Sequence, residues 1–83
     1  MKQQSIEFKP KKQILAQLAI SHTNFYKKIR EGKFPRPIKI GKRSLWPSHE
    51  VDAMCAAWIA GHDDTAIKQL VAEIEKKRKI VTA

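Results

Sequence analysis

The sequence predicts a small, mainly α-helical domain that carries one β-hairpin. Two observations predict it. Four segments place apolar residues at the spacing of an amphipathic helix, and the stretch "KFPRPIKIGKRSLWP" alternates apolar and polar residues around a glycine while its prolines forbid helix. With 83 residues there is room for one domain and one limited core.

Near the start, Ile6 and Phe8 alternate with polar neighbours, which suits a short strand. Pro10 then sits where a helix tolerates a missing N–H. In "KKQILAQLAI", Ile14, Leu15 and Leu18 recur at helical spacing with Ala19 beside them and Ile20 at the end, giving a first helix of two to three turns. Ser21 is placed to accept a hydrogen bond from a free N–H of a second helix, near His22 to Glu31, and Gly32 to take the left-handed conformation after it.

Two short helices this close in sequence, the second of them basic, form a helix-turn-helix pattern. At about 100° per residue, Phe25 and Ile29 share one face of the second helix, and Thr23, Lys27 and Arg30 form a stripe on the opposite one. Asn24 flanks that stripe, with His22, Tyr26 and Lys28 at its margins. An ordinary solvated helix face has the same look, but here Glu31 is the lone acid among four cations, Lys27, Lys28, Arg30 and, just beyond the helix, Lys33.

Phe34 returns the chain to the core, and Ile38-Lys39-Ile40 reads as a strand, Gly41-Lys42-Arg43 as a turn and Ser44-Leu45-Trp46 as the return strand. A two-residue Gly-Lys loop pairs Ile38 with Leu45, whereas a three-residue loop pairs Ile38 with Trp46; the sequence leaves both open. Either register exposes Lys42 and Arg43 at the tip, with Lys39 facing away from Ile38 and Ile40. Lysines on an edge strand also serve to discourage aggregation.

Ser48 is expected to cap a third helix whose first turn holds Glu50 and Asp52, with Val51, Met54, Cys55, Trp58 and Ile59 as its buried set and Gly61 at its end. Asp63 or Asp64 is expected to cap a fourth helix, with Ile67, Leu70, Val71 and Ile74 on one stripe and Lys76 to Lys79 near its end. That stripe either pairs copies of the chain or packs internally on Trp58 and Ile59. Residues 62–83 thus form an added helix rather than a separate domain, beside a main unit spanning residues 1–61.

Charge is unevenly distributed. The net charge is +9, yet residues 1–47 carry twelve Lys or Arg against Glu7 and Glu31, while the remainder is slightly acidic. Such segregation points to a polyanion, with nucleic acid ahead of a membrane surface. The helix best suited to lie on a membrane, the fourth, has only aliphatic residues on its apolar side and acids at its start. The single cysteine, Cys55, and an opening without a charged-then-apolar leader fit a soluble protein of the reducing cytoplasm.

Catalytic chemistry finds no support. His22, His49, His62 and Cys55 lack metal-ligand spacing; Gly32, Gly41 and Gly61 lie too far apart for a phosphate loop; and the acids sit at helix starts. The expectation is no enzyme, no cofactor, no metal and no small-molecule ligand.

Residues 12–61 resemble the AlpA family of phage and prophage transcriptional regulators, relatives of excisionases within the MerR-like winged helix-turn-helix group. The resemblance rests on Ile20-Ser21, Phe25-Tyr26, Glu31-Gly32-Lys33-Phe34-Pro35, Ile40-Gly41-Lys42-Arg43, Trp46 and Glu50-Val51, in that order. The chain departs at His22-Thr23-Asn24, where members often show Arg-Ser-Thr, so base preference does not carry over. It departs again at Pro47, directly after the tryptophan.

The resemblance implies a winged helix-turn-helix with the second helix in the major groove and the hairpin, as the wing, on the backbone or minor groove of double-stranded DNA. On that expectation Thr23, Asn24 and Lys27 read base edges, Tyr26, Lys28 and Arg30 hold phosphate, and Arg36, Lys39, Lys42 and Arg43 serve the wing. A footprint this small calls for a homodimer or a cooperative multimer on DNA, with the fourth-helix stripe as a pairing surface. An excision directionality factor would use the same domain, and an interaction module docking through the fourth helix is the alternative of another class.

Overall fold

A computed structural model describes residues 7–81 of the chain; Ile6, half of the expected N-terminal alternation, lies outside them. In chain order the elements are β1 (Phe8–Pro10), α1 (Lys11–Leu18), α2 (His22–Arg30), β2 (Ile38–Ile40), β3 (Arg43–Pro47), α3 (Ser48–Ile59) and α4 (Asp64–Val81). The fold is mainly helical with a small antiparallel sheet, as a helix-turn-helix with a hairpin wing requires.

The sheet has one strand more than the hairpin alone. Its order is β1-β3-β2, with Phe8 opposite Pro47 and Pro10 opposite Leu45. Pro10 occupies the junction of β1 and α1, where its fixed φ suits both an edge strand and the residue before a helix. In the hairpin the two-residue loop prevails: Ile38 pairs with Leu45 and Ile40 with Arg43. Gly41, at φ 61°, is the first loop residue, the position at which a two-residue hairpin turn of this kind demands glycine.

Helix ends follow one pattern with one anomaly. After α2, Gly32 takes φ 76°, its N–H reaches the Ile29 carbonyl and the Lys33 N–H reaches the Lys28 carbonyl, a Schellman closure. After α1 the chain turns through Ala19 at φ 57°, and the Leu15 carbonyl accepts from both the Ala19 N–H and, at 3.3 Å, the Ile20 N–H. An alanine there hid the end of α1 from the sequence, and Ile20 belongs to the turn rather than the helix.

The core is one cluster of Ile14, Phe25, Phe34, Trp46, Val51, Met54, Ala57, Ile67, Val71 and Ile74. Two expectations need correction. Ile59 is 87% exposed, because the buried face of α3 centres on Val51, Met54 and Ala57, and Ile59 lies about 140° round the helix from Met54. Ser48 makes no capping bond; Pro47 precedes the helix, and the Ser48 N–H closes on the Glu7 carbonyl at 2.7 Å.

The fourth-helix stripe, expected either to pair copies of the chain or to pack internally, turns inward: Ile67, Val71 and Ile74 are buried in the chain's own core and Leu70 packs partly against it. Helix α4 itself is capped by Asp63, whose Oδ1 accepts from the Ala66 N–H at 2.9 Å.

Candidate nucleic-acid interface

Helix α2 is fixed at its start and along its inner face. The Ser21 Oγ accepts from the Asn24 N–H at 3.1 Å, satisfying a donor that the helix leaves free. Phe25, fully buried, sets its ring 5.1 Å from that of Phe34 and 5.2 Å, edge-on, from Trp46 of β3. The Trp46 Nε1–H in turn donates to the Pro35 carbonyl at 2.9 Å, tying the hairpin root to the same aromatic group. Sequence, packing and orientation thus agree: burying Phe25 turns Thr23, Asn24, Lys27 and Arg30 out to solvent, and all four are exposed.

The margins of α2 are occupied. Tyr26 is partly exposed, with the His22 ring at 4.8 Å and the Lys11 Nζ 5.2 Å from its centroid. Lys28 behaves differently from the stripe cations: its Nζ lies 5.4 Å over the Trp58 ring, drawn toward α3 by a cation–π contact.

In the hairpin, residues opposite one another share a face and neighbours along a strand do not. Lys39 and Ser44 therefore project from the same face as Trp46, the face on which α2 packs through Phe25, and Arg43 projects from the other with Ile40. Lys39, Lys42 and Arg43 are all exposed, as is Ile40. Lys33, by contrast, is held 3.3 Å from Glu31 and 3.1 Å from Asp64, and hydrogen bonds to Asp64 first and Glu31 second raise its pKa above the ordinary lysine value. It stays charged through neutral pH, and its charge is already matched.

Arg36 is gripped by its backbone. Its N–H donates to the Glu75 Oε2 at 2.8 Å, and its carbonyl accepts from the Arg78 Nη2 at 2.9 Å. The same Arg78 donates from Nε and Nη2 to the two oxygens of Glu50, the one buried charged residue among those described. Two residues a turn apart on α4 thus hold the segment that leads into the wing, while the Arg36 side chain remains exposed.

A family model described as Prophage CP4-57 regulatory protein (AlpA) matches residues 10–60. The chain belongs to this family. Comparison with curated proteins and with solved structures finds no match. The AlpA match runs from β1 to the end of α3 and so includes the helix-turn-helix, the hairpin and Glu50, but not the Glu75 and Arg78 that complete their support. Among the described residues, no helix is long and apolar enough to cross a membrane.

Sequence reasoning missed Lys11, Glu75 and Arg78. Lys11 could have been found by noting that Pro10 places it in the first turn of α1, beside the helix-turn-helix. The grip on Arg36 joins residues 39 and 42 positions apart, and no local pattern encodes it.

Proposed function

We propose that this AlpA-family chain is a sequence-specific double-stranded DNA-binding regulator of transcription carried by a phage or another mobile element. Helix α2 enters the major groove, Asn24 and Thr23 reading base edges near its start and Lys27 a guanine further along. Arg30 and Tyr26 hold phosphate beside it. The hairpin is the wing, with Lys39, Lys42 and Arg43 reaching the neighbouring backbone. Lys28, lying over Trp58, is the least committed of the cations to this surface.

One observation carries the reading: α2 turns an uninterrupted polar and cationic stripe outward while its buried Phe25 packs on the strand that forms half of the basic hairpin. A reading helix and a wing on one shared support suit a duplex, whose backbone flanks the groove on both sides. Several copies side by side on repeated sites supply the specificity that one small footprint lacks.

A salt titration tests it. If helix and wing neutralise about six phosphates, log affinity falls against log salt with a slope of roughly −5. A slope near −1 would leave the basic half of the chain without a role and reject the proposal.

A further inference from the structure

A cleft of about 270 Å³ opens between the end of α2, the hairpin root and α4, and Arg30, Arg36 and Lys68 line it, one cation from each of these parts. We infer that this cleft receives a backbone phosphate of the bound duplex, with Lys68 as a DNA-contacting residue. The inference rests on the DNA-binding reading above and carries the footprint onto a helix outside the family match.

Neighbouring carboxylates leave the three cations available. Glu31 and Asp64 pair with Lys33, and the Glu75 Oε2 accepts from the Arg36 backbone N–H. Among the described residues none of the three cationic side chains stands in an ion pair, and all three are exposed. Glu75 lines the cleft with the three cations, so the site is cationic by two charges and attracts a further anion.

Position favours a duplex phosphate over a free anion. Lys27 and Arg30 lie three residues apart on the exposed stripe of α2, so the stripe runs directly into the cleft. A strand following that stripe reaches Lys68 next. Its three cations are exposed, as suits a track for a polyanion, while the buried Phe34 and Val71 line the cleft between them.

The test is fluorescence anisotropy of a short labelled mixed-sequence duplex with the full chain, over a salt series. Lys68→Ala should weaken binding a few-fold and make the log–log slope shallower by about one. Lys77→Ala, about 180° away round α4, should change little. Both variants should melt with the parent, because both side chains are exposed. An unchanged slope for Lys68→Ala, or an equal loss for Lys77→Ala, overturns the inference, the latter by showing that diffuse charge suffices. Saturable binding of inorganic phosphate beside unaltered duplex binding by Lys68→Ala overturns it in favour of a free-anion pocket. A parent chain indifferent to duplex overturns the DNA reading itself, a result distinct from a parent that binds and a Lys68→Ala variant that binds equally well.

Discussion

Arg78 closes a two-bond fork on Glu50, its Nε 3.0 Å from Oε2 and its Nη2 on Oε1, and so joins α4 to a carboxylate that is 5% exposed at the start of α3. The charge on Glu50 is tolerated in the core because a planar guanidinium matches both of its oxygens. Arg78→Ala strips that partner and leaves a buried carboxylate, at a cost of about 3–5 kcal/mol. Chemical denaturation should show the loss as a lowered midpoint. Replacing both partners at once, Glu50→Leu with Arg78→Met, should recover most of it, since an apolar pair avoids desolvating two charges.

The turn between α1 and α2 offers the opposite kind of change. Ala19 holds φ 57°, a conformation that costs an L-residue roughly 1–2 kcal/mol, and its side chain is exposed. Ala19→Gly relieves that strain but loosens the unfolded chain, so the net gain should be about 1 kcal/mol. Thermal melting checks it; an unchanged or lower midpoint would mean that the turn is not strained.

Local physics accounts for what was legible in the sequence. Helix α2 ends within a residue of its expected boundary, because Ser21 and Gly32 act on immediately adjacent backbone groups. The hairpin was legible as a hairpin, but its register depended on where the left-handed φ falls, and both loops admit Gly41. From Ala53 to Ile59 the sequence of α3 is apolar without a break, so its period does not single out the buried side there, and Ile59 lies outside the core it was expected to join. The fourth-helix stripe was readable as a stripe, yet its occupant was not, since internal and external packing require the same residues. Among the site residues the exposed set of α2 follows from the position of Phe25 alone, whereas the contact of Lys28 with Trp58 depends on how α2 and α3 are juxtaposed.

Reading and holding DNA should separate on mutation. Asn24 is exposed at the start of α2 with only its backbone N–H engaged, so Asn24→Ala should leave stability nearly intact. Its expected effect is a loss of discrimination of about 1–3 kcal/mol at one base pair. Lys42→Ala and Arg43→Ala should instead weaken specific and random duplexes alike, each making the salt slope shallower by about one as one phosphate fewer is neutralised. Competition titrations with the two duplexes make the comparison. Equal losses on both for Asn24→Ala would remove it from the reading set.

Helix α4 lies beyond the family match, and the fold should nevertheless fail without it. Ile67, Val71 and Ile74 are each at least nine-tenths buried, and burying three such side chains contributes roughly 5–9 kcal/mol. A domain of this size has a total stability near the lower end of about 5–15 kcal/mol, so the loss equals or exceeds what is available. Removing α4 also strands Glu50 without Arg78 and frees both backbone groups of Arg36 at the wing root. A chain ending after residue 63 should therefore show no cooperative melt by circular dichroism and no duplex binding, although it retains every residue assigned to α2 and the hairpin. A cooperative melt near that of the full chain would mean that residues 1–63 fold by themselves and that α4 only decorates them.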